Sequence, residues 1–167
     1  MANIRTGITA EVKTRLEGIV AAAANPVGGP YNYTPINVWI GRRLVDVQLK
    51  ATTLPAYSVI AQDHGGAEYS GSTRRIARSS LEISIEGRIA ISDHDTPYQD
   101  AEKAIEDIRA AIEKSDDVSL GDRVAALLWD SESVTTTPEN ETSFFVINYL
   151  AELTLVRGNA ATLKPAW

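Results

Sequence analysis

The sequence predicts a single α+β domain, a mainly antiparallel β-sheet with two α-helices packed on one face. Three observations carry this reading. Leu81, Ile83, Ile85, Ile89 and Ile91 alternate with Glu82, Ser84, Glu86, Arg88 and Ala90, a period of two that marks a long strand with one buried and one wet face. Phe145, Ile147, Tyr149, Ala151, Leu153 and Leu155 repeat the pattern near the end of the chain. Two further stretches carry apolar residues at helical spacing, one before the strands and one between them. At 167 residues the chain is long enough for one domain with a sizeable core.

Taken in order, Ile8 to Ala24 reads as an amphipathic helix with Ile8, Val12, Leu16, Ile19 and Val20 on one stripe. Thr6 or Thr9 supplies the N-cap, and Asn25-Pro26 ends the helix. Pro26 to Pro30 is a turn or loop. Short strands are expected at Asn37–Ile40, Val45–Leu49 and Leu54–Ala61, with Pro55 near the start of the last, where a strand tolerates the missing donor. Residues 62–73 form a polar loop with Gly65, Gly66 and Gly71, and the lack of apolar side chains predicts a mobile segment.

The long strand runs from Arg74 to Ile91. Ser92 to Pro97 connects it to a helix reaching about Lys114, capped by Asp95 or Thr96 with Pro97 at the first helical position. Ala101, Ala104, Ile105, Ile108 and Ile112 face the core, and Glu102, Lys103, Glu106, Asp107, Arg109 and Glu113 take the opposite face. In Val124–Trp129 length does not separate strand from helix; we expect a strand from near Leu127 after a helical turn. Ser131–Ser143 is expected as a polar loop, Phe144–Val156 as the last strand, and residues 158–167 as a short tail.

Composition narrows the function. The chain has 16 basic and 22 acidic residues, a net charge of −6, and no cysteine. Disulfides and cysteine metal sites are thereby excluded, and a bulk nucleic-acid binder would usually be basic. No apolar run approaches the roughly 18–20 residues that span a bilayer, and the first residues lack a signal-type apolar stretch, so no membrane partner and a cytoplasmic product are expected. The charge is uneven: the balance is +3 up to Ile91 and −9 from Ser92 onward. Such a division suits copies or partners that dock through complementary patches, or an acidic helix face that keeps the chain soluble.

Chemistry is hard to place. Asp93-His94-Asp95 and Asp63-His64 put carboxylates beside the two histidines, but a zinc site needs three or four converging ligands, and an Asp at a strand-to-helix turn has an ordinary capping role. His64-Gly65-Gly66 has the wording of an esterase oxyanion loop without any Gly-x-Ser-x-Gly elbow. Neither a phosphate-binding loop nor a dinucleotide fingerprint is present. No catalytic, cofactor or metal residue is therefore assigned, and a non-enzyme is expected. Arg74, Arg75 and Arg78 form a basic cluster that suits phosphate, an acidic patch on a neighbouring subunit, or protection of a strand edge. Tyr31, Tyr33, Trp39, Tyr57, Tyr69 and Tyr98 sit mostly at strand starts or in loops, where aromatic residues close a core or anchor an interface.

A helix leading to Leu54-Pro55-Ala56, an Arg-rich approach to the long strand LEISIEGRIAI, the helix AEKAIEDIRAAIEK and a strand closing on Val156-Arg157-Gly158-Asn159 together resemble the tail terminator proteins of long-tailed (siphovirus or myovirus-type) phages, the minor tail protein U type. The likeness is one of element order over about Thr6 to Asn159. It implies a structural virion protein of the tail–neck junction, assembled in the host cytoplasm. Such proteins form a hexameric ring that caps the tail tube, ends tube polymerisation and joins the tail to head and neck connector proteins, with lumenal passage of DNA. Head-completion and stopper connectors of the neck look similar at this level, and a small metal-dependent hydrolase using His94 is a third class. The candidate subunit or tube interface comprises Arg74, Arg75, Arg78, Asp63, His64 and Tyr69 at the loop and strand start, and Glu102, Glu106, Asp107 and Glu113 on the acidic helix. Residues 27–53 stand out as an insert relative to the smallest family members. A ring needs unlike patches in head-to-tail contact, and a basic junction with an acidic helix is such a pair. Ordering the loop at docking costs about 1–2 kcal/mol per residue, which predicts a free monomer that assembles on the tube.

Overall fold

The computed structural model describes residues 2–45, 47–63, 68–70, 76–113, 119–137, 141–156 and 159–163. The elements are α1 (Ala2–Glu17), β1 (Asn37–Ile40), β2 (Ala56–Asp63), β3 (Glu68–Ser70), β4 (Ile76–Ala90), α2 (Gln99–Ile112), β5 (Ala126–Thr137), β6 (Thr142–Val156) and β7 (Asn159–Leu163). The alternating stretches become β4 and β6, each 15 residues long. They pair antiparallel along their whole length, from Ile76 opposite Val156 to Ala90 opposite Thr142. Around this ladder the strand order is β1-β2-β4-β6-β5, with β3 on β4 and β7 on β6. All pairs are antiparallel except β1 with β2.

Both helices cover one face. Ile8, Val12, Leu16 and Ile19 near or on α1 and Ala101, Ala104, Ile105, Ile108 and Ile112 on α2 are buried with Tyr57, Val59, Ile83, Ile85, Phe145, Ile147 and Tyr149 of the sheet. Gly87 lies opposite Phe145 in the ladder, and a Cβ at Gly87 would overlap the Phe145 ring. The missing side chain leaves room for the end of that ring over Gly87, and the ring meets Tyr57 at a centroid separation of 6.0 Å.

The expected wet face of β4 is partly covered. Leu44 is buried, and its N–H donates to Glu86 Oε2 at 2.6 Å. Arg43 Nε lies 2.9 Å from Glu86 Oε1, and Arg88 Nη2 donates to the Val45 carbonyl at 2.9 Å. The crossover from β1 to β2 thus lies over the helix-free face and buries Glu86 with its charge satisfied, as a buried carboxylate requires. Farther along that face Ser84 Oγ donates to Asn148 Oδ1 at 2.8 Å, and Asn148 Nδ2 donates to Ser131 Oγ at 3.1 Å.

Several boundaries differ from expectation. α1 ends at Glu17 rather than Ala24. Beyond Gly18 the chain doubles back, with Ala22 N–H donating to the Tyr31 carbonyl and Tyr31 N–H to the Ala23 carbonyl. Ala22 takes a φ of 64°, outside the helical region, and Val20 is exposed instead of joining the stripe. Thr9 is inside the helix, its hydroxyl donating back to the Arg5 and Thr6 carbonyls. No strand forms among the described residues of 45–49, because that stretch is part of the crossover. β5 continues to Thr137 through the region expected as loop, since its Thr- and Val-containing residues pair with β6 from Ser131 opposite Asn148 to Thr137 opposite Thr142. α2 starts at Gln99 with no side-chain cap. Asp93 instead organises the preceding turn, accepting from Asp95 N–H at 2.9 Å and Thr96 Oγ1 at 3.1 Å.

Candidate assembly surface

The expected acidic face of α2 divides in two. Glu102 and Glu106 are exposed. Asp107, placed by its spacing among the solvent-facing residues, is 1% exposed and corrects that reading. Its carboxylate accepts from Asn32 N–H, Asn32 Nδ2 and Tyr33 N–H, each at 2.9 Å. The segment after the α1 turn needs partners for its backbone donors, and Asp107 supplies them across the helix layer. Asp100 does similar work about two turns away on the same helix: it accepts from Tyr33 Oη at 2.6 Å and from Ser92 N–H and Oγ, each at 2.7 Å. Burial pushes the Asp100 carboxyl up, but these hydrogen bonds outweigh it and hold the group below the usual carboxylate range. Burial, then the Asp100 hydrogen bond, raises the Tyr33 hydroxyl well above the ordinary tyrosine value.

Glu113 stands in a network with β5 and β6. Arg109 Nε and Tyr149 Oη both donate to Glu113 Oε1 at 3.0 Å. The Arg109 guanidinium lies 5.4 Å from the Trp129 ring centroid and 4.0 Å from Glu132 Oε2. Burial, followed by the Glu113 charge, pushes the Tyr149 hydroxyl up, so it stays a donor to that carboxylate. A groove of about 490 Å³ separates α2 from the turn after α1, with Val27, Glu106, Arg109 and Glu113 on its walls.

The basic cluster is at the other end of β4. Arg78 is exposed, opposite Glu68 of β3 and Thr154 of β6. It is the third residue of β4, whereas α2 is reached after Ala90. The helix starts near that far end of β4 and runs back over the sheet until Glu113 meets Tyr149, which lies opposite Ile83, so its first turns, with Glu102, are the part farthest from Arg78. Asp63 is the last residue of β2, opposite Leu81, and Tyr69 is central in β3, opposite Ala77. Part of the segment expected to be mobile is therefore paired strand. His64, Arg74 and Arg75 lie outside the described residues. The expected tail likewise contains β7, paired to β6.

His94 is exposed in the turn that Asp93 organises. Among the described residues no group of three or more His, Asp or Glu side chains is placed to hold a metal ion, and no helix is long and apolar enough to cross a membrane. The sequence reading missed the edges of the sheet. Ile36 precedes β1 and Ile40 ends it, Leu128 and Trp129 lie on β5, and all four are exposed. The run Leu127-Leu128-Trp129 was a signal, since consecutive apolar residues on a half-buried strand must put one outward. Compared with known proteins, the chain matches no family model, and no curated protein is significantly similar to it.

Proposed function

We propose that this chain is a structural protein of a phage tail, a ring-forming terminator that caps the tail tube, stops its growth and offers the surface joined by the neck. The observation that carries the proposal is the order of elements: a first helix, the strand after Leu54-Pro55, a long strand reached through Arg78, an acidic helix and a closing pair of long strands. This is the order on which the resemblance to tail terminators rests. The separation of the exposed Arg78 from the exposed Glu102 and Glu106 supports it, because head-to-tail contacts need unlike patches at different places on one subunit. In this reading the partners are further copies of the chain, the tail-tube protein and a neck connector; the ring number of six comes from the resemblance.

The test is tube growth. Tail-tube protein polymerised with increasing amounts of this chain should give tubes of progressively smaller mean length at constant total polymer, read by electron microscopy. Unchanged lengths at a molar excess would overturn the proposal, and binding to a portal complex instead would assign the chain to the neck side.

A further inference from the structure

We infer that copies of this chain join through the two open edges of the sheet, the outer edge of β1 in one copy pairing antiparallel with β5 of the next. The inference rests on the ring reading above for its closure, but its observations are separate. The strand order ends in β1 and β5, and among the described residues neither has a second neighbour. An edge of 12 residues such as β5 presents a row of unpaired N–H and C=O groups, which natural proteins cover or blunt.

These edges also concentrate apolar surface. Ile36 and Ile40 are 55% and 48% exposed, and Leu128 and Trp129 are each 47% exposed. By alternation Ile40 shares the side of core-facing Val38, and Trp129, opposite Tyr149, is on that same helix-bearing side. Trp39 and Leu128 share the other side. Side-by-side copies with their helices on the same face therefore put Ile40 opposite Trp129 on the helix-bearing side, and bring Trp39 and Leu128 to the other side as diagonal neighbours.

Charge and direction agree. Arg42 and Arg43 follow β1, the first stacked 4.4 Å over the Trp39 ring and the second held by Glu86. Asp130 and Glu132 are exposed on β5. β1 runs parallel to β2, and three antiparallel steps lead from β2 through β4 and β6 to β5, so β1 and β5 run in opposite directions. Equivalent copies placed edge to edge thus present antiparallel strands. The patches differ, which makes the contact heterologous and able to close a ring. β1 contributes only 4 residues, so one contact is short, and closure gives each copy two.

The chain has no cysteine, which makes cross-linking clean. The pair Asn37→Cys with Ser133→Cys reports one side of the sheet, and Ile40→Cys with Trp129→Cys the other. Treated with a short bismaleimide during assembly with tube protein, each double variant should give a ladder of linked multimers and each single variant none. Arg42→Glu and Asp130→Arg should each reduce linkage about tenfold, and their combination should restore it. Rings on tubes without linkage in the double variants would overturn the edge contact and leave the terminator reading standing. Linked dimers from the Ser133→Cys variant alone would overturn it in favour of β5 meeting β5. A ladder without rings or tube capping would support the edge contact and end the terminator reading. Neither linkage nor rings would end both.

Discussion

Asp107 ties the segment after the α1 turn to α2. Its carboxylate serves three donors from the segment after the α1 turn, so Asp107→Ala removes the shared acceptor of these part-buried N–H groups. The expected loss is about 2–3 kcal/mol, measured as a lower urea midpoint with unchanged slope. Tyr57 is the opposite case. Its side chain is fully buried and its hydroxyl has no hydrogen-bond partner among the described residues, so Tyr57→Phe should be neutral or stabilising by up to about 1 kcal/mol, checked by the same denaturation. Asp100 sets an acid limit. With its folded value held below the ordinary range, the unfolded chain takes up the proton first as pH falls. The stabilisation is present above about pH 4 and lost as pH drops through the folded value. Urea midpoints at pH 5 and pH 2.5 should therefore differ less for Asp100→Asn than for the natural chain.

At the scale of elements, what was legible in the sequence followed burial. Period two in Leu81–Ile91 and Phe145–Leu153 located the central ladder because both strands bury the same face along their length. The apolar spacing of Ala101–Ile112 located α2 for the same reason. Errors arose where tertiary contacts override local pattern. Helical spacing put Asp107 opposite the core, but the turn after α1 packs against that flank of α2 and buries it. The Ala21–Ala24 run favours helix by propensity, yet pairing with Tyr31 takes the chain out of it. Thr135-Thr136-Thr137 has the polarity of a loop, but an edge strand with one partner tolerates it, and Thr is at home in strands. Of the candidate surface, the acidic residues were visible and the sheet edges were not, because an edge is a property of strand order. Glu102 and Glu106 offer a test at this scale. Both are exposed on one helix, so Glu102→Lys with Glu106→Lys should change stability by less than about 0.5 kcal/mol per site. If the acidic face docks a basic patch, the same change should markedly reduce assembly, read by sedimentation with tube protein.

At the scale of the whole molecule, a helix layer covers one sheet face, a crossover covers part of the other, and two unlike edges stay open. Exposed Arg78 lies at the start of β4, and exposed Glu102 lies in the first turn of α2, near the strand's other end. In the proposed ring on a tail tube, these are the surfaces that would meet neighbouring copies. The most direct measurement is negative-stain imaging of the purified chain mixed with tail-tube protein. The account predicts tubes of limited length carrying a ring at one end. Bare tubes of unrestricted length beside unassembled protein would contradict it.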